Sequence, residues 1–148
     1  MGGHMRKALL AAACAAMLGA SAQAQGNATC GETADAWPLM ETLKGHFNRG
    51  DYRAFLEDTG PMLSHKVADY PALFGAMDEL FPDGFHHCQT VLVRDEKPAF
   101  RQELIMFTRD DMRGPITLLL IAAKLQDEAQ LVYFTYNSAV TEVLGKLQ

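Results

Sequence analysis

Residues 85–94, 99–109, 116–125 and 130–138 are four runs rich in Val, Ile, Leu, Phe, Tyr and Thr, the residue types that favour strands. The segments between them are Asp95-Glu96-Lys97-Pro98, residues 110–115 and Gln126-Asp127-Glu128-Ala129, four to six residues each. A parallel crossover needs about a dozen residues or more, so links this short allow only hairpins. The second half of the chain is therefore expected to be a four-stranded antiparallel meander.

The first half has helical spacing. Trp37, Met40, Leu43 and Phe47 recur at steps of three and four, which puts them on one helix face. Asp35 or a neighbour is expected to cap that helix, with Pro38 in its first turn, where a missing N–H costs little. Asn48-Arg49-Gly50 closes it. A short second helix follows from Asp51 through Tyr52, Phe55 and Leu56 to the stop at Gly60-Pro61. Residues 62–67 add a helical turn or two, and Pro71 opens a helix carrying Leu73, Phe74, Met77, Leu80 and Phe81, which Pro82-Asp83-Gly84 breaks. Helices first and strands afterwards is the α+β order: N-terminal helices packed on a curved four-stranded sheet.

The third run, residues 116–123, does not alternate between apolar and polar, so both faces of that strand should be shielded from water. The fourth is expected to behave similarly through Leu131, Val132, Tyr133 and Phe134. The helices cover one face; the other needs either the C-terminal segment 140–147 folded back or a second copy of the chain. A homodimer through the sheet is the favoured expectation.

Met1-Gly2-Gly3-His4 has the character of an added leader ahead of a native start at Met5. Residues 5–24 then form an export signal: Arg6 and Lys7 supply positive charge, residues 8–20 are apolar, and Ala22-Gln23-Ala24 offers a small-x-small cleavage site. An apolar run of about 13 residues is short of the roughly 20 that span a bilayer, so a cleaved signal is preferred to a membrane anchor. Cys14 after Ala11-Ala12-Ala13 is the weaker alternative, a lipidation site. The expected product is a single domain, residues 25–148, in the bacterial periplasm or outside the cell.

The formal charge is −5, and about −7 without Arg6 and Lys7. Such a balance argues against nucleic acid or an anionic membrane as a partner. Two cysteines follow the signal, Cys30 and Cys88. In an oxidising compartment a lone pair most simply forms one disulfide, here tying the N-terminal segment to the first strand.

Within residues 43–56, Phe47, Asn48-Arg49-Gly50-Asp51, Tyr52, Phe55 and Leu56 resemble the first helix corner of the nuclear-transport-factor-2-like superfamily. About fifteen residues carry the resemblance in sequence, and the element order extends it over most of the domain. It implies a cone in which the sheet wraps the helices around a pocket, commonly as a dimer, in a group that includes isomerases, dehydratases, cyclases and non-catalytic members. The chain departs from the group's pattern: no strand is evident before the third helix, and no Asp–His or Tyr–Asp pair matches a catalytic set. A cystatin-like arrangement, helix on antiparallel sheet, fits equally well.

Candidate chemistry is sparse. Glu103 on the second strand, with Tyr133 or Tyr136 on the fourth, would make an acid–base site if they converged in an apolar pocket. The competing reading is that Arg101, Glu103 and Arg109, alternating on one strand face, form ion pairs. His86-His87-Cys88 has metal-binding residue types, but His87 should point away from the other two, and a site would need His46, His65 or Cys30 brought close. No metal is therefore assigned. Trp37, Phe47, Tyr52, Phe55 and Tyr136 are the candidates to line a pocket for a flat apolar ligand, or else to fill the core. Neither a nucleophile motif nor a phosphate or dinucleotide fingerprint is present, and no cofactor is expected.

Three functions fit these observations. The favoured one is an exported non-catalytic binding or interaction protein that holds a small apolar ligand or a partner protein. The alternatives are a cofactor-free isomerase or hydro-lyase and a periplasmic inhibitor or immunity-type protein with an acidic surface.

Overall fold

A computed structural model describes residues 30–31 and 33–147. The expected leader and export signal lie outside the described residues. Helix α1 covers Pro38–Arg49, α2 Tyr52–Glu57 and α3 Tyr70–Leu80, with a 3-10 turn over Ser64–Asp69 before α3. Strands β1 (His87–Glu96), β2 (Phe100–Thr108), β3 (Ile116–Leu125) and β4 (Glu128–Asn137) follow, then a short α4 over Val140–Leu144. The strands are hydrogen-bonded in the order β1-β2-β3-β4, every pair antiparallel, which is the meander that the short links require. Among the described residues no helix is long and apolar enough to cross a membrane.

Two glycines hold the helical half to the sheet. Gly50 ends α1 at φ 78°, the left-handed position that a side chain disfavours. Gly84, at φ 69°, meets that corner backbone to backbone: a Cβ there would lie 2.1 Å from the Asn48 carbonyl oxygen. The same carbonyl accepts the Phe85 N–H at 2.8 Å, so the end of α1 sets where the chain turns into the sheet.

The start of α1 differs from expectation. Its N-cap residue is Trp37, with no side-chain capping bond. Asp35 does not cap because its carboxylate is engaged by the Lys97 ammonium on the opposite hairpin.

Alternate residues of the strands face the helices. Phe107, Ile105, Glu103 and Arg101 of β2 stand in succession on that face, opposite Ile116, Leu118, Leu120 and Ala122 of β3. Phe47 sits at the centre of the core beneath them, its ring 4.7 Å from that of Phe107 and within 5.8 Å of Tyr52, Phe55, Phe85 and Tyr136. On the other face Leu104, Leu119 and Ile121 pack with Val143 of α4, and with Phe100, Val132 and Leu147. The C-terminal segment is thus a cover for that face, one of the two covers that the apolar third strand called for.

Strand β3 is buried on both faces from Ile116 to Ala122, as its pattern predicts. Strand β4 is not. Leu131 is fully buried, but Tyr133 is 39% exposed and the neighbouring residues are half-buried. The reason is position: β4 is an edge strand with a neighbour on one side only.

The disulfide joins Cys30 to Cys88, closing a separation of 58 residues. The Cys30 carbonyl also accepts the Thr90 N–H at 2.7 Å. Together these contacts fasten the start of the described chain to β1.

Candidate functional site

Glu103 lies at the middle of a chain of buried charges. Lys44, Arg101 and Glu103 are all fully buried. Glu103 has one oxygen, Oε1, 2.6 Å from Arg101 Nε and the other, Oε2, 2.9 Å from Lys44 Nζ. Lys44 also lies 2.5 Å from Glu41 Oε1, and Arg101 Nη1 donates to Asp95 Oδ2 at 3.0 Å. The rest of the guanidinium reaches the main-chain carbonyls of Ala34 and Asp35 at 3.2–3.4 Å.

This is the ion-pair reading of Arg101 and Glu103, extended by Lys44. Arg109 takes no part: it pairs with Asp111 and lies over the Phe81 ring. Lys44 was legible in principle, since it falls one turn after Met40 and beside Leu43, on the buried stripe of α1.

Neither tyrosine completes an acid–base site with Glu103. Tyr136 faces the core further along the sheet, and its hydroxyl donates to the Leu73 carbonyl. Tyr133 points to the opposite face and is exposed.

The five aromatic pocket candidates separate. Phe47, Tyr52 and Phe55 are fully buried against one another and fill the core. Tyr52 donates its hydroxyl to the Phe81 carbonyl at 2.9 Å, and burial pushes its pKa up. Tyr136 borders two shallow grooves on the β4 side, and burial raises its pKa as well.

Trp37, alone of the five, faces a cleft of about 820 Å³ that is open to solvent. Three distant stretches build that cleft: residues 35–39 leading into α1, the β1–β2 turn with Asp95, Lys97 and Pro98, and the β3–β4 turn with Lys124, Asp127, Glu128 and Ala129. Asp35 and Asp127 hold left-handed φ values of 51° and 67°, strained for residues other than glycine. The Lys124 ammonium sits 5.1 Å from the Trp37 ring centroid, within cation–π range.

The histidines do not gather. His86 Nδ1 and His87 Nε2 lie 3.5 and 3.8 Å from opposite oxygens of the exposed Asp110, while Cys88 is used in the disulfide. His46 Nε2 is 2.7 Å from Asp58 on the helical side, and His65 is exposed in the 3-10 turn. Among the described residues no group of three or more His, Cys, Asp or Glu is placed to hold a metal ion.

Sequence reading missed the cleft because its walls come from segments about 30 to 60 residues apart, which no local pattern connects. Comparison with protein-family models, with curated proteins and with solved structures found no match.

Proposed function

We propose that this chain is an exported, non-catalytic binding protein that holds a small molecule in the cleft beside Trp37. The observation that carries the reading is the cleft itself. It combines room for a drug-sized ligand with an aromatic wall and several charged groups, the usual make-up of a ligand site. The enzyme alternative lacks support at Glu103, which is sealed from solvent and held by two cations. A general acid or base must reach its substrate's proton within hydrogen-bond distance.

The chain has one tryptophan, so Trp37 emission reports on the cleft without labelling. Protein recovered from the periplasm without refolding should carry a small molecule in native mass spectrometry, and washing that molecule out should change Trp37 emission. Loss of bound mass with no change in emission would place the ligand elsewhere. Export is tested by N-terminal sequencing of the secreted form, which should begin at Gln25.

A further inference from the structure

We propose that the outer edge of β4 takes an added strand: an extended segment of a partner protein, apolar at alternate positions and carrying a carboxylate among them. This goes beyond the Trp37 cleft, which lies toward the other end of the same strand.

The sheet has two edges, and the chain treats them differently. At β1 a bulge falls in mid-strand, between Thr90 and Leu92, and the outward Thr90 N–H is taken by the Cys30 carbonyl. The strand then ends in Arg94, Asp95 and Glu96. Bulges and charges of this kind keep other strands from pairing. At β4 the bulge comes early, at Val132, and from Tyr133 to Asn137 the strand pairs with β3 in unbroken register. That stretch carries neither charge nor proline. In a regular antiparallel ladder, alternate residues turn both main-chain groups away from the neighbouring strand. One outward group earlier in β4, the Leu131 N–H, is met by the Thr59 carbonyl at 3.2 Å. Beyond it, among the described residues, no main-chain bond closes the outer side of residues 133–137.

A groove of about 470 Å³ runs along this open edge. Residues 133–136 form one wall, and Leu63, Lys66 and Leu73, from the 3-10 turn and α3, stand on the other. Leu63, Leu73, Phe134 and Tyr136 are the half-buried margin of the aromatic core, so a strand laid in the groove buries its apolar side chains against them. Lys66 is the one charged residue among the described residues that line the groove. It is half-buried, and its ammonium makes no ion pair or hydrogen bond with any described residue. A partly desolvated, unpaired ammonium favours a carboxylate opposite it. A small apolar ligand would leave both the main-chain groups and Lys66 unmet. An extended acidic peptide meets them together, main chain to main chain, with alternate side chains turned into the groove.

The test uses the disulfide-intact protein and a fluorescein-labelled, amidated heptapeptide, Thr-Leu-Thr-Glu-Thr-Leu-Thr. Its leucines and glutamate fall on one face, and its order reads the same in either direction. Binding is followed by fluorescence anisotropy at neutral pH and located by backbone amide shifts. The dissociation constant should be below about 1 mM, and the shifts should fall on residues 133–137 and not on β1. Two further peptides, N-methylated either at both leucines or at the two threonines beside the glutamate, block opposite edges of the added strand. One should lose at least about tenfold in affinity while the other keeps it. Lys66→Glu should weaken binding at least about fivefold, and replacing the peptide's glutamate by lysine should restore it, a reversal that lost packing would not produce.

Equal affinity for the parent and both N-methylated peptides overturns strand addition. A Lys66→Glu protein that still prefers the glutamate peptide overturns the acidic partner. Free protein that sediments as a dimer, with the amides of residues 133–137 already protected from exchange, gives the edge to a second copy of this chain and overturns the partner protein. No anisotropy change at about 1 mM protein, with the fold intact, overturns the proposal outright. Each of these outcomes leaves the Trp37 cleft to its own test.

Discussion

One face of β2 passes from hydrocarbon to charge within four positions. Phe107 and Ile105 pack on Phe47 and the aromatic core, while Glu103 and Arg101, two pleats further on, join Lys44 and Asp95. All of these side chains except Asp95 are essentially removed from water. The two ends are nevertheless held by different physics. The aromatic end gains from area and dispersion, which are non-directional and tolerate some reshaping. The charged end gains little net energy, because the desolvation of each ion offsets most of its pairing. It gains definition instead, since every ion must find its partner. Its use is positional: the Arg101 guanidinium draws the carbonyls of Ala34 and Asp35 to the sheet and so places Trp37 in the cleft.

The largest effects should come from breaking either end at its centre. Phe47→Ala removes the ring that touches most of the core aromatics, and should cost about 3–5 kcal/mol of unfolding free energy in urea titrations. Arg101→Met should cost a similar amount, about 3–5 kcal/mol, by leaving Glu103 and Asp95 short of a partner. The ends then separate in rescue. Adding Lys44→Met and Glu103→Leu to Arg101→Met removes the remaining fully buried charges and leaves the partly exposed Asp95 as the carboxylate short of Arg101, so it should recover much of the loss, whereas no second apolar change refills the hole at Phe47. If the triple variant is as unstable as Arg101→Met alone, unpaired charge is not what holds the two ends apart.

Reduction of Cys30–Cys88 comes next. Closing a loop of 58 residues is worth about 4 kcal/mol by chain entropy, so reductant should lower the melting temperature clearly. The consequence is also local. The bond fastens the stretch that leads to Ala34, Asp35 and Trp37, so Trp37 emission should shift to the red while the aromatic core stays closed. A melting temperature indifferent to reductant, with both thiols open to labelling in the native protein, would refute the staple.

The meander was legible because link length leaves no other choice, and the disulfide because assigning Cys14 to the expected export signal leaves Cys30 and Cys88 as the one pairing. The doubly buried β3 could be read from its unbroken apolar run. Exposure along β4 could not: Leu131, Val132, Tyr133 and Phe134 look like a second buried strand, and only sheet order makes them an edge. At the site, the ion-pair reading of Glu103 was available from alternation with Arg101, and Lys44 from its place on α1. The cleft was not, since Trp37, Asp95 and Lys124 meet only after the whole sheet has formed.

The smallest effect is alkaline and belongs to the aromatic end alone. Tyr52, Tyr70 and Tyr136 all border the core there. Burial raises the phenol pKa of each: it is the leading cause at Tyr52 and the cause at Tyr136, and at Tyr70 it acts ahead of the hydrogen bond to Asp78 to give about 12. In the unfolded chain these phenols ionise near pH 10. Between pH 10 and the raised native values, the unfolded state therefore binds fewer protons than the folded state, so stability is complete below about pH 10 and falls as pH rises above it. Each phenol contributes a slope of at most about 1.4 kcal/mol per pH unit. Tyr52→Phe should lose about 1 kcal/mol at neutral pH with its hydrogen bond to Phe81, yet lose stability less steeply above pH 10. Urea midpoints measured from pH 9 to 11 decide it. A slope unchanged by Tyr52→Phe would mean that this phenol is reached by solvent in the native state, and that the aromatic end is looser than its packing indicates.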